Sequence, residues 1–206
     1  MTLVHPTSLT ISTIAPMNTM RKATSDDLAG ASSTLAMAFE DYAWTNFTIA
    51  PDDHLTRVRD VQNLCLKEIA LPYGLIVVND DMSVVAAFTQ PAASAKVDPS
   101  VWSRISERMG PAPSSSIELD LPAPLDEASW GLATVGVLPT SQGQGLGSAA
   151  IQYGLHSLDA ITGTVTAVHL ETSDPRNVRL YERLGFRTYA ETSVDDGPMV
   201  WSMQRG

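Results

Sequence analysis

The sequence predicts a mixed α/β fold: one sheet of parallel and antiparallel strands with helices on both faces. Three observations predict it. Trp130 to Ser148 reads as strand, short turn, glycine loop and helix start. Short apolar or β-branched runs alternate along the chain with longer stretches of helical spacing. Two strand-like runs close the chain around Asp195-Asp196-Gly197-Pro198, which adds an antiparallel pair.

The chain of 206 residues is long enough for one domain with its own core. Hydrophobic residues make up 44% and charged residues 17%, a globular rather than disordered balance. No run approaches the roughly 18 apolar residues that a membrane helix needs. Lys and Arg number 13 against 23 Asp and Glu, a net charge of −10. That argues against nucleic acid or an acidic membrane as partner. It is compatible with a cationic small molecule, although an acidic surface also serves solubility. A single cysteine, Cys65, excludes an internal disulfide. His5, His54, His156 and His169 are scattered without metal-ligand spacing, so no metal is expected. The first basic residue is Arg21, later than a secretory signal would place it, and a cytoplasmic protein is expected.

Residues 1–17 read as an N-terminal arm or a short extra strand, and residues 18–206 as the domain proper. A first strand is expected near Asn18 to Ala23. Thr24-Ser25-Asp26-Asp27 then forms a helix N-cap with acidic residues in the first turn. Leu28, Ala31, Leu35, Ala38 and Phe39 keep helical spacing to about Tyr42. Pro51-Asp52-Asp53 starts a second helix, with Leu55, Val58, Cys65 and Ile69 on a buried stripe that Val61, Leu64 and Leu66 widen. Cys65 on that stripe reads as core packing, because a thiol nucleophile needs a basic, partly exposed niche. Leu75 to Val78 and Val84 to Thr89 are strands of a hairpin.

From Pro91 to Leu125 the composition changes, with six of the 13 prolines. The stretch reads as an insertion that either shapes a substrate pocket or is a solvated connection. It should hold one helix, capped by Asp98, opened by Pro99, lined by Val101, Ile105 and Met109, and ended by Gly110. After the glycine loop, Leu146, Ala149, Ala150, Tyr153, Leu158 and Ile161 give a helix with a buried face. Val165 to Leu170 is the next strand. Ser173-Asp174-Pro175 caps a short helix that Gly185 stops. Phe186 to Ser193 and Met199 to Met203 are the closing strands.

The loop Gln142-Gly143-Gln144-Gly145-Leu146-Gly147-Ser148 leaves successive backbone N–H groups bare at a helix N-terminus, an arrangement that attracts anions. Its glycines fall as G-x-G-x-G, not the dinucleotide G-x-G-x-x-G, and no lysine makes it a mononucleotide loop. Taken alone it could be an ordinary turn. The wider pattern Val137-x-Pro139-x-x-Gln142-Gly143-x-Gly145-x-Gly147 resembles the acetyl-CoA loop of the GNAT N-acetyltransferases, whose core is Q/R-x-x-G-x-G/A. The order of elements also resembles the GNAT fold, over roughly Met20 to Arg205. Further likeness to the puromycin N-acetyltransferase branch lies in Ala38 to Tyr42, Leu132 to Val137, and Leu170 to Asn177 running into Tyr181 to Phe186. The insertion and Trp44 to Phe47 depart from that branch.

The resemblance implies direct transfer of acetyl from acetyl-CoA to the primary amine of a small molecule, with an antibiotic-resistance role if the acceptor is a puromycin-like aminonucleoside. Gln142 to Ser148 would cradle the pyrophosphate, and the strand edge Val135, Gly136 and Val137 would pair with the pantetheine amides. A backbone N–H near Val137 or Leu138 could stabilise the thioester oxygen. Asn177 would hydrogen-bond the coenzyme, or serve as a polar helix-end residue. Tyr181, one turn on, would protonate the departing thiolate, or pack under the last strands. Glu171 is the first candidate for base, with capping or pairing to Arg176 as its structural alternative. Glu40, Asp41 and Tyr42 would form an acidic, aromatic lip for the amine, or a solvated helix end. A peptide acceptor and a non-catalytic acyl-CoA-binding module are the other readings, and a homodimer is conceivable by analogy with relatives.

Overall fold

A computed structural model describes residues 19–116 and 120–206. The arm expected over residues 1–17 lies outside the described residues. Seven strands form one sheet in the order β1-β2-β3-β4-β5-β7-β6. They are β1 (Met20–Lys22), β2 (Gly74–Asn79), β3 (Val84–Thr89), β4 (Trp130–Val137), β5 (Val168–Thr172), β6 (Arg187–Thr192) and β7 (Val200–Arg205). Neighbours are antiparallel except β4 and β5, which run parallel and pair at Trp130↔Val168 and Gly131↔His169. Beyond Gly131 these two central strands part. Their separation, rather than either strand alone, makes room for a site.

The two faces follow from strand alternation. Leu75 and Val77 of β2 join Phe88, Leu132, Leu170 and Met203 in a core covered by α7 (Leu146–Thr162) and α8 (Pro175–Arg183). Ile76 and Val78 turn to the opposite face and meet Leu28, Ala31 and Leu35 of α1 (Leu28–Phe39). On that side α2 (Ala43–Thr48), α3 (His54–Cys65), α4 (Leu71–Tyr73), α5 (Ala93–Lys96) and α6 (Pro99–Met109) complete the layer. Helices therefore cover both faces.

Local chemistry explains most boundaries. Thr24 and Asp27 form a capping box at the start of α1, with the Thr24 N–H donating to the Asp27 carboxylate at 2.7 Å. Arg21 of β1 grips the same carboxylate with two bonds of 2.8 Å, tying strand to helix. The insertion is built into the fold: Asp98 caps α6 by accepting from the Ser100 N–H at 2.8 Å, and Val101 and Ile105 pack with Val58 and Val61 of α3. Gly154 of α7 sits against the Phe88 ring, a close approach that only a residue without Cβ permits.

Several details differ from the sequence reading. The six-residue helix α2 carries no capping signature and was not expected; Thr45 holds it by donating to the carbonyls of Phe39 and Tyr42. Leu55 and Ile161 are 42% and 56% exposed, so the buried stripes of α3 and α7 are narrower than expected. The α7 stripe is instead Ala150, Ile151, Gly154, Leu155 and Leu158. β5 begins at Val168, not Val165, which is 66% exposed.

Candidate active site

The glycine loop is shaped by where β4 stops. Leu138 donates its N–H to Ser83 at 2.9 Å, as the last rung to the β3 side. Pro139–Ser141 make one tight turn, and the Gln142 side chain donates back to the Val137 carbonyl at 3.2 Å. Gly143 and Gly145 then take φ of 77° and 79°, the left-handed region that favours glycine. A Cβ built at either would meet no atom within 4 Å, so the concavity beside them is open. α7 starts at Leu146, and its first helical bond runs from Ala149 N to Gly145 O at 3.0 Å. The N–H groups of Leu146, Gly147 and Ser148 are therefore the unsatisfied donors of the helix start, aided by its dipole.

These donors border a groove of about 500 Å³. Val135, Gly136, Val137, Ser141, Gln142, Gly143, Gly145, Leu146, Gly147 and Ser148 line one side, and Asp174, Arg176, Asn177, Leu180 and Arg183 the other. Gln144 is exposed outside the wall. Arg183 adds positive charge to this wall, on which Arg176 is already paired with Asp174, and so suits an anion in the groove.

The edge of β4 continues from the groove. Leu138 bonds toward β3, and alternation in an antiparallel ladder turns Gly136 the same way and Val135 and Val137 the opposite way. The Val137 carbonyl, which takes the Gln142 side chain, points accordingly. On that side β5 has already departed. Val135 and Val137 thus present strand-edge groups to the gap, ready to pair with an extended chain. Leu138, named above as a possible oxyanion donor, is excluded because its N–H is taken by Ser83. Val137 remains and Val135 joins it.

A second cavity of about 340 Å³ adjoins the groove, and Phe39, Tyr42, Val135, Asn177 and Tyr181 line both. Here the end of β5 contributes Glu171, Thr172 and Ser173, and β4 contributes Leu132 to Val135. Tyr42 is held in place by accepting from the Ser173 N–H at 3.0 Å, with Thr172 Oγ1 3.2 Å away. It therefore straps the end of α1 across the gap. Glu40 and Asp41 are exposed and line neither cavity, so of the three expected lip residues the geometry brings in Tyr42 alone.

Asn177 and Tyr181 share the inner face of α8, whose start Asp174 fixes by accepting from the Arg176 N–H at 2.8 Å. Tyr181 is buried and packs edge-on to Phe186 with ring centroids 5.8 Å apart. Burial, then the neighbouring Tyr42, pushes its phenol well above the usual range, so it remains a proton donor at neutral pH. Glu171 opens onto the cavity, yet the protein around it removes enough water to raise its carboxyl above the usual value. A raised carboxylate is a stronger base. The pairing of Glu171 with Arg176 is not present: Arg176 bonds Asp174 at 2.7 Å.

Some walls were invisible to the sequence reading. Trp44, Thr45, Gln62, Leu121 and Val200 also line the reaction cavity. Burial, then the Glu171 charge, raises the Tyr189 phenol, and Ser202 stands opposite Glu171 in the register of β5 and β7. Only the strand register brings these groups together. Among the described residues no cluster of three His, Cys, Asp or Glu is placed to hold a metal ion, and no helix is long and apolar enough to cross a membrane.

Comparison with known proteins bears on this arrangement. A model of the Acetyltransferase (GNAT) family matches residues 105–186, which hold β4, the glycine loop, β5 and α8. A Corynebacterium glutamicum structure, described as histone acetyltransferase HPA2 and related acetyltransferase, superposes with a TM-score of 0.70 at 25% identity, covering 91% of this chain and 94% of that one. A GNAT family acetyltransferase from Brucella melitensis in complex with acetyl-CoA shares the fold, with a TM-score of 0.51 at 19% identity over 91% and 88% of the two chains. Mycothiol acetyltransferase of Streptomyces griseus is 42% identical over 55 residues, 27% of this chain but only 18% of that protein. The family match over residues 105–186 and the superposition agree in placing the likeness on β4, the glycine loop, β5 and α8; neither bears on the puromycin-like branch.

Proposed function

We propose that the chain transfers acetyl from acetyl-CoA to the primary amine of a small molecule, within one transferase domain spanning residues 18–206. One observation carries the reading: the open edge of β4 leads without a break from the bare N–H groups of the glycine loop to a cavity holding Glu171 and Tyr181. Acetyl-CoA is a substrate here and supplies the thioester. The residues present fit it, since the concavity at Gly143 and Gly145 is unfilled and the unengaged donors suit a pyrophosphate. Val135 and Val137 would pair with the pantetheine amides, and Asn177 would bond the same arm from α8.

The roles of the chain's own groups follow. The acceptor arrives as an ammonium and loses one proton to Glu171, directly or through water. The freed nitrogen forms its bond to the acetyl carbon while the carbon–sulfur bond breaks. Tyr181 donates its proton to the departing sulfur. The second proton of the nitrogen returns through solvent to the phenolate, so the net release is one proton. Whichever N–H of Val135 and Val137 the pantetheine amides leave free would be a fixed dipole for charge that gathers on the thioester oxygen. No cysteine is needed as carrier, and burial raises the Cys65 thiol to about 11, leaving it protonated.

The acidic protein and the resemblance to the puromycin branch make aminonucleosides the first acceptors to test. Purified protein, acetyl-CoA and a panel of small amines and short peptides, followed by release of free thiol, tests the reading. Thiol release with small amines supports it; release with peptides alone reassigns the acceptor, and no release with any amine while coenzyme A still binds reduces the chain to an acyl-CoA-binding module.

A further inference from the structure

A third cavity, of about 540 Å³, lies on the α3 side of the sheet under the proline-rich insertion. We propose that it holds an apolar, aromatic body carried by the acceptor, so that the protein selects primary amines attached to a bulky planar group. The inference rests on the acetyl-transfer reading and names the acceptor class.

Adjacency is the first argument. Gln62, Ala133 and Thr134 line both this chamber and the reaction cavity, so the two share a wall, and an acceptor whose nitrogen faces Glu171 would reach the chamber by passing these side chains. Chemistry is the second. Ala87, Ala93 and Ala133 keep the walls short, and Cys65 and Ile69 make them apolar. Trp102 of α6 lines the chamber and stays 41% exposed, while Val101 and Ile105 of the same helix are buried. A large ring left uncovered on a concave wall favours a stacked planar partner. The third argument is a vacancy in the hydrogen bonding. Thr134 Oγ1 is buried at the shared wall and has no partner among the described residues, so a rotation of this side chain would offer its hydroxyl to a polar atom of the acceptor between its nitrogen and its ring.

Two further features agree. α3 passes into a π-helical turn over Leu66–Ala70, and Leu66, Ile69 and Ala70 face the chamber; such turns recur at functional sites. At the floor, Ser129 and His169 Nδ1 lie 2.8 Å apart. Burial lowers the His169 pKa, so the ring is neutral at physiological pH and does not repel a cationic acceptor.

The test compares a short amine, ethylamine, with arylalkylamines such as tryptamine under saturating acetyl-CoA. The expected wild-type result is a kcat/KM at least about tenfold higher for the arylalkylamines, through a lower KM. Ser94→Trp, on an exposed wall of the chamber, should abolish that ratio by raising the KM for the arylalkylamines. Trp102→Ala should reduce the ratio and Trp102→Phe restore most of it. Calorimetry of tryptamine with the coenzyme A-loaded protein gives a second readout: Ser94→Trp should weaken binding at least tenfold. Equal kcat/KM for short and aromatic amines, or a Ser94→Trp protein that binds tryptamine like wild type, overturns the proposal. If no amine releases thiol, the transfer reading fails, and the calorimetric comparison still decides whether the chamber binds aromatic amines.

Discussion

Gly154 offers a sharp contest between local preference and packing. It lies in the middle of α7, where glycine is a poor helix former, and Gly154→Ala should by propensity alone add about 1 kcal/mol. The structure predicts the opposite sign. A Cβ there would lie 2.1, 2.5 and 3.0 Å from Cε2, Cζ and Cδ2 of Phe88. Carbon atoms rest at about 3.5–4.0 Å, so the ring or the helix must move by over ~1 Å. Phe88 is 0% exposed and is surrounded by Leu132, Ile151 and Leu155, which leaves the ring no place to go. Overpacking of this kind costs about 1–3 kcal/mol, and so short a contact belongs at the upper end. Set against the propensity gain, the net loss is about 1–2 kcal/mol, or several degrees in Tm for a chain of this size. Urea unfolding at constant m measures it. Because α7 carries the glycine loop at its start, coenzyme A affinity should fall in the same variant. An unchanged or raised midpoint would refute the claim that this close contact seats the helix.

Three other perturbations have expected outcomes. Tyr181→Phe keeps the packed ring and removes a hydroxyl that makes no protein hydrogen bond among the described residues, so stability and coenzyme A affinity should hold while turnover drops about 10²–10⁴-fold; steady-state kinetics beside calorimetry separate the two. Glu171→Gln should remove the limb of the kcat/KM profile on which activity rises with pH above the ordinary carboxylate range. Because the folded-state pKa of Glu171 is raised, its contribution to stability is present below its unfolded value and is lost as pH rises through the raised one. The Gln variant should therefore melt higher than wild type at about pH 8 and show no such advantage near about pH 4. Asp27→Ala deletes the α1 capping box and the partner of Arg21, and should cost about 1–2 kcal/mol at neutral pH. The Asp27 carboxyl is lowered, first by Arg21, so its contribution is present above the ordinary Asp value and disappears as pH falls through the lowered one; melting of variant and wild type should converge in strong acid.

The parts that could be read from the sequence are those fixed by neighbours along the chain. The glycine loop, the Asp98-Pro99 start of α6 and the Asp174-Pro175 start of α8 are set by turn and cap chemistry within a few residues. The relation of Asn177 to Tyr181 follows from helix geometry alone. What depends on pairing between distant segments was not legible. The parting of β4 and β5 after Gly131, the strap that Tyr42 throws to Ser173, and the meeting of Gln62 with Thr134 need the sheet order and the helix layer together. Periodicity also overreached: Leu55 and Ile161 fit an apolar stripe by spacing, but lie at its solvent edge. Charge misled at Glu40 and Asp41, because acidity near a helix end does not say which way a side chain faces.

A crystal structure of the protein with acetyl-CoA tests the central claim most directly. The account predicts the pyrophosphate on the N–H groups of Gly143 to Ser148, pantetheine amides within about 3 Å of the Val135 and Val137 backbone, and the sulfur beside Tyr181. A coenzyme bound with its pantetheine arm away from the β4 edge, or its thioester remote from Glu171 and Tyr181, would contradict it.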